Sequence, residues 1–172
     1  LISALIHPLL IVSYLFGALF WSAPELLGAS TLAPSTLLTL LFLLFLCTFI
    51  VPSVCIFLLY KIGHIASIQL HKRSERSLPY LLTALIYGAS AFLFEGLLRP
   101  LAPLHTLVAT LLGSTSLAIL IVAGINQYWK ISAHTTGIGG GLGALLGLYW
   151  FAATETLFWC LLSCLLLAGS VG

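Results

Sequence analysis

Charged residues are scarce in this chain of 172 residues. Only 6% of the residues are Asp, Glu, Lys or Arg, whereas about 25% is typical of a soluble globular domain. Hydrophobic residues make up 61% of the chain, and the mean hydropathy is +1.21. This composition excludes an ordinary soluble domain and indicates a protein that is embedded in a membrane.

Six apolar stretches are long enough to cross a bilayer, since each helix needs about 20 mainly apolar residues. They cover residues 1–21, 36–60, 79–95, 104–125, 135–152 and 155–171. The sequence lacks the alternation of apolar and polar residues that marks a barrel strand, and a helix satisfies its own backbone amides in lipid. The sequence therefore predicts an all-α, polytopic membrane protein, a bundle of six transmembrane helices forming one domain over residues 1–172.

Methionine is missing altogether, and the chain begins at Leu1 and stops at Gly172 directly after an apolar stretch. Because a natural open reading frame begins with methionine, we expect the sequence to be incomplete at both ends. The presence of a signal peptide cannot be judged for the same reason.

Patterns typical of metal sites are also missing. The four cysteines all lie in predicted spans and form no CxxC pair: Cys47, Cys55, Cys160 and Cys164. Cysteines that bind metal come in characteristic spacings with cysteine or histidine partners. The four acidic residues, all Glu, are scattered along the chain. We therefore expect inert thiols, no bound metal and no cofactor.

The few cations fall mainly in two short loops. The first loop, residues 71–79, contains Lys72, Arg73 and Arg76. Arginine offers a planar pair of donors to a phosphate and lysine a point charge. Basic residues in the loops of membrane proteins also set topology, and for the first loop alone that interpretation is favoured.

The second loop combines a cation, a hydroxyl and an imidazole. Ser132 is a natural helix N-cap, and free amides at a helix start attract anions. Lys130 adds a positive charge, and His134 can exchange a proton near neutral pH. The pattern predicts an anion site with a general acid beside it. Counting crossings places this loop and the first one on the same face of the membrane.

Other polar and small residues have a structural interpretation. We interpret His7, His64 and His105 as structural histidines. The glycine-rich stretch after the second loop, residues 137–143, includes the GxxxG pair Gly139 and Gly143. We interpret the whole stretch as a surface for close packing against a neighbouring helix.

Residues 131–137, Ile-Ser-Ala-His-Thr-Thr-Gly, resemble the second signature of the type 2 phosphatidic acid phosphatase family, usually Pro-Ser-Gly-His before a helix rich in small residues. The loop that ends in Arg76 and Pro79 is similar to the family's first signature, a Lys followed at a distance by Arg-Pro. Two spans separate the loops, as in the family. This chain differs in having Ile131 and Ala133 in place of Pro and Gly, and Arg76 does not directly precede Pro79.

The resemblance implies a metal-independent membrane phosphatase that hydrolyses a lipid or isoprenoid phosphate monoester or diphosphate through a phosphohistidine intermediate. It implies that His134 is catalytic and protonates the leaving alcohol. The phosphate-binding residues that it implies are Lys72, Arg73, Arg76, Lys130 and Ser132. The nucleophilic histidine belongs to a third signature, which we expect beyond Gly172.

Two alternatives stay open. A catalytically inactive relative would serve as a structural or partner-binding membrane subunit. A small transporter would show polar residues and broken helices near the middle of the membrane, and the predicted spans lack interior charges. For the phosphatase we expect membrane lipids and a lipid phosphate as partners, no nucleic acid, and a place in the bacterial inner (cytoplasmic) membrane. The positive-inside rule places the cation-rich face in the cytoplasm, whereas the resemblance to bacterial members of the family implies a site that faces outward.

Overall fold

The computed structural model describes residues 7–67, 73–101, 104–129, 131–152, 155, 158–163 and 165. These residues are all-α, as predicted. The α-helices are α1 (Pro8–Ser22), α2 (Pro34–Phe45), α3 (Val51–Lys61), α4 (Ser77–Leu97), α5 (Leu104–Ile125) and α6 (Ala133–Ala152). A π-helical turn, Leu46–Ile50, joins α2 to α3, and a 3-10 turn, Arg73–Arg76, precedes α4. Residues 158–163 are also helical.

Three helical segments are long and apolar enough to cross a membrane. They are Pro34–Lys61, Ser77–Leu97 and Leu104–Ile125, with 28, 21 and 22 residues. They correspond to three of the six predicted spans, and they indicate an integral membrane protein. Helix α1 has 15 residues, and the glycine-rich α6 is not among the candidate spans. The span predicted at 155–171 lies largely outside the described residues.

Proline marks the start of several helices. Pro8 and Pro34 occupy the first position of α1 and α2, where a missing N–H costs nothing because that amide has no intrahelical acceptor. Pro79 lies in the first turn of α4, which begins at Ser77, two residues before the predicted span. These positions fix where the loops end and the apolar segments begin.

The π-helical turn is held by a buried hydrogen-bond network. Pro52 has no N–H, so the carbonyl of Thr48, four residues earlier, loses its α-helical donor. The Tyr87 hydroxyl on α4 donates to that carbonyl at 2.9 Å. The Thr48 hydroxyl donates to the carbonyl of Leu44 and accepts from the Ser13 hydroxyl on α1, each at 2.8 Å. Since lipid offers no alternative partners, the network ties α1, the α2–α3 segment and α4 together.

Helices α4 and α5 form an antiparallel pair through small residues. The Ser116 hydroxyl on α5 donates to the carbonyl of Ala84 on α4 at 2.7 Å. A Cβ on Gly88 would lie 3.3 Å from the Ser116 hydroxyl, and one on Gly113 would lie 3.9 Å from the Cβ of Ala91. Small residues let the two backbones come close along the pair, as is common between membrane helices.

Helix α6 packs parallel to α1, and this contact is closer than the one between α4 and α5. A Cβ on Gly137 would lie 2.8 Å from Cδ1 of Ile11 and 3.3 Å from Cβ of Pro8. A Cβ on Gly141 would lie 3.1 Å from Cγ2 of Ile11. Gly137 and Gly141 are therefore the GxxxG pair that faces α1.

The sequence predicted close packing for the glycine run as a whole, and the contacts of Gly137 and Gly141 agree with that prediction. At Gly139 and Gly143 no described atom lies within 4 Å of an added Cβ. A run of glycines contains several GxxxG pairs on different faces of the helix. The sequence shows that a close contact is feasible but does not select the face.

Exposed aromatic residues lie at both ends of the bundle. Trp21 and Trp150 are 92% and 87% exposed near the ends of α1 and α6. Tyr128 and Trp129, each 72% exposed, follow α5 at the opposite end. Tryptophan and tyrosine are enriched at membrane–water interfaces. The second polar loop is therefore expected at the depth of the lipid headgroups.

Candidate functional site

The two polar loops meet at Arg76. Its Nη1 donates to the carbonyl of Ile131 at 2.8 Å, so the first loop contacts the residue directly before Ser132. The side chain of Tyr80, one turn further along α4, is also hydrogen-bonded to Arg76. This contact places the charge of a half-buried guanidinium beside the start of α6.

Ser132 caps α6, as the sequence predicts. The amide of Thr135 donates to the Ser132 hydroxyl at 3.4 Å. The amide and the hydroxyl of Thr136 donate to the Ser132 carbonyl at 3.1 and 2.9 Å. The cap uses the serine hydroxyl to order the first turn, whose leading amides have no intrahelical acceptor and carry the positive end of the helix dipole.

His134 lies in that first turn, with part of its ring buried. Its Nε2 is inaccessible to solvent and has no hydrogen-bond partner among the described residues. A buried polar atom without a partner costs about 1–3 kcal/mol, so its presence calls for an explanation. The same ring lies edge to face with His7, the ring centroids 6.5 Å apart and the planes at 69°.

His7 is the N-cap of α1. Its Nδ1 accepts a hydrogen bond from the amide of Leu9 at 3.4 Å, and its ring lies 5.9 Å from the ring of Phe49. Burial, and then the positive charge of His134, lower the pKa of His7 below its ordinary value. His7 therefore stays neutral to lower pH than an exposed histidine.

Three of the expected site residues have side chains that the structure does not describe. Lys72 and Lys130 lie outside the described residues. Arg73 is in the 3-10 turn, and its side chain is not among those described. Among the described residues, Arg76, Ser132 and His134 are the expected site residues that come together.

The remaining histidines lie away from these residues. His105, at the start of α5 on the opposite face, contacts the Thr106 hydroxyl at 3.0 Å, and its Nε2 lies 4.0 Å from Oε1 of Glu95. His64 is exposed in the turn after α3. In the described part of the chain, no group of three or more His, Cys, Asp or Glu side chains is placed to hold a metal ion.

Sequence reasoning did not place His7 at the site. The sequence signal at this position was His7-Pro8 at the start of an apolar segment. It predicts a capped helix but does not show which other helix packs against it. The contact with His134 depends on packing between helices at opposite ends of the sequence.

No family model, no curated protein and no solved structure matches this chain. A functional assignment therefore depends on the signature residues, on the geometry around Arg76 and His134, and on the membrane location that the long apolar helices indicate.

Proposed function

We propose that the protein is a membrane phosphatase related to the type 2 phosphatidic acid phosphatases, with six transmembrane helices in a bacterial cytoplasmic membrane. Its substrate is a lipid or isoprenoid phosphate. The observation that carries the proposal is the hydrogen bond from Arg76 to the carbonyl of Ile131, because it joins the two signature-like loops at a point next to Ser132 and His134.

Phosphate binding in this proposal uses two sources of positive potential. Arg76 contributes a guanidinium, whose planar geometry suits a phosphate. The start of α6, ordered by Ser132, contributes amides and the positive end of a helix dipole. Lys72, Arg73 and Lys130 belong to the same basic loops and add to the attraction. Charge that develops on the phosphoryl oxygens is stabilised without a metal ion.

His134 serves as the general acid. The resemblance implies that a histidine of the third signature attacks phosphorus, forming an N–P bond as the P–O bond to the lipid breaks. The departing oxygen takes a proton from His134, and water then cleaves the N–P bond to release phosphate.

The substrate class follows from the location of the site. Arg76 and His134 lie at the ends of apolar helices, and the neighbouring Tyr128 and Trp129 are at the depth expected for headgroups. A phosphate attached to a hydrocarbon chain reaches this depth without leaving the membrane. This favours a lipid-linked phosphate over a water-soluble one.

The test is release of inorganic phosphate from phosphatidic acid and from an isoprenyl diphosphate by the purified full-length protein in a chelator. We expect His134→Ala to reduce the rate at least about 100-fold, the effect typical of losing a positioned acid. The matched control is His105→Ala, on the opposite face, which should retain the parent rate.

Two results would contradict the proposal. Equal rates for His134→Ala and the parent would exclude the acid role, and activity lost in chelator and restored by magnesium would exclude the metal-free mechanism. A folded parent that releases no phosphate from either substrate would favour the inactive, partner-binding relative.

A further inference from the structure

We propose that His7 is a positioning residue for His134, and that the two imidazoles form a coupled pair across the contact between α1 and α6. The role in phosphate release rests on the proposed function, whereas the coupling between the two rings does not.

The ring of His7 is held by contacts on more than one side. Its Nδ1 accepts from the amide of Leu9, which fixes the neutral ring with its proton on Nε2. The ring of Phe49, on the π-helical turn, lies nearly perpendicular to it at 81°. These contacts hold the His7 ring in one orientation, and the His134 ring lies edge to face against it.

The backbone contact next to the pair sets the distance between the two rings. Pro8 follows His7 directly, and its Cβ and Cα would lie 3.3 and 3.4 Å from a Cβ on Gly137. Gly137 lies three residues after His134 on α6, less than one turn away. Because α1 and α6 touch at this level without an intervening side chain at Gly137, neither histidine can shift far relative to the other.

Electrostatics couples the two rings. The charge of His134, after burial, contributes to the lowered pKa of His7. The neutral His7 ring adds no positive charge beside His134. The other charged or titratable side chains described on this face are Lys61, His64, Glu75 and Arg76, with the tyrosines Tyr60, Tyr80 and Tyr128.

Two substitutions test the ring of His7 and its hydrogen-bond acceptor separately. His7→Phe keeps an aromatic ring but removes the acceptor for the amide of Leu9. His7→Asn keeps a good N-cap acceptor but removes the ring. If His7 positions the acid, both variants should lower kcat for lipid phosphate, by about tenfold or more, with little change in KM, since misplacing a catalytic group slows the chemical step. His105→Phe is the matched control and should have the parent kcat.

The coupling is measured independently by NMR titration of ring-labelled histidines in detergent. His134→Gln removes the neighbouring positive charge, so the pKa of His7 should rise towards its ordinary value. His105→Gln should leave the pKa of His7 where it is in the parent.

Each outcome decides one part of the proposal. An unchanged pKa of His7 in His134→Gln overturns the coupled pair. An unchanged kcat in folded His7→Asn and His7→Phe overturns the positioning role. If the parent releases no phosphate, the proposed function and the positioning role both fail, and the titration still decides whether the pair exists.

Discussion

The α4–α5 pair and the α1–α6 pair use small residues for different purposes. Helices α4 and α5 are neighbours in sequence, touch along their length and share the hydrogen bond from Ser116 to Ala84. Helices α1 and α6 are far apart in sequence and approach closely at Gly137 and Gly141. The first contact is broad and carries neither His7 nor His134. The second is narrow and carries both His7 and His134.

We expect stability and activity to depend on different helix pairs in this bundle. A broad contact between adjacent helices tolerates local change, because many other contacts remain. A narrow contact fixes the position of the few side chains beside it. Substitutions in α4–α5 should therefore affect stability more than activity, and substitutions in α1–α6 should affect activity most.

The largest effect is expected for Gly137→Leu. Its side chain would overlap Pro8 and Ile11 and force α6 away from α1, and overpacking of this kind costs about 1–3 kcal/mol. The displaced α6 would carry His134 away from Arg76 and His7. We expect phosphate release to fall at least about 100-fold, measured together with the thermal unfolding midpoint in detergent.

Gly139→Leu is the matched control for that substitution. It lies two residues away in the same helix, where no described atom is within 4 Å of an added Cβ. It should keep both the midpoint and the rate of the parent. If both leucine variants lose activity equally, the α1–α6 contact is not what positions the site.

An intermediate effect is expected for Tyr87→Phe, at the network that joins α1, α4 and the π-helical turn. The change removes the hydroxyl that donates to the Thr48 carbonyl. That carbonyl has no α-helical donor because Pro52 lacks an N–H. We expect a loss of about 1 kcal/mol in the free energy of unfolding, measured by denaturant titration. Tyr14→Phe, at an exposed position on α1, is the control, and an equal loss in both variants would contradict the role of the network.

The smallest effect is expected for Ser116→Ala in the α4–α5 pair. Hydrogen bonds between membrane helices contribute about 0.6 kcal/mol on average, and the loss should appear in the free energy of unfolding but not in phosphate release. Ser114→Ala is the control, because Ser114 bonds only within its own helix in the described contacts. A large loss of activity in Ser116→Ala would remove the distinction between the two helix pairs.

Local features of the fold were predictable from the sequence. The start of α4 within two residues of the predicted span and the cap at Ser132 follow from short-range chemistry, since proline and serine act within one helical turn. Hydropathy alone located the three long apolar helices. Close packing of the glycine run was also predicted, but the sequence did not select Gly137 and Gly141 as the pair that contacts α1.

Features that depend on packing between distant segments were not predictable. The contact of His7 with His134 requires α1 to lie against α6, and hydropathy does not specify which helices are neighbours. The π-helical turn at Thr48 likewise depends on donors from α1 and α4. The loops were predicted to share a membrane face, but the bond from Arg76 to Ile131 depends on the rotamer of one long side chain.

The proposed phosphatase requires an anion site where Arg76 meets the start of α6. Binding of orthovanadate, a phosphate analogue, to the purified full-length protein tests it directly by vanadium NMR. We predict that the parent binds, that Arg76→Gln weakens binding at least about tenfold, or about 1.4 kcal/mol, and that Arg99→Gln, on the opposite face, binds like the parent. Equal affinity of Arg76→Gln and the parent, or no binding by the parent, would contradict the account.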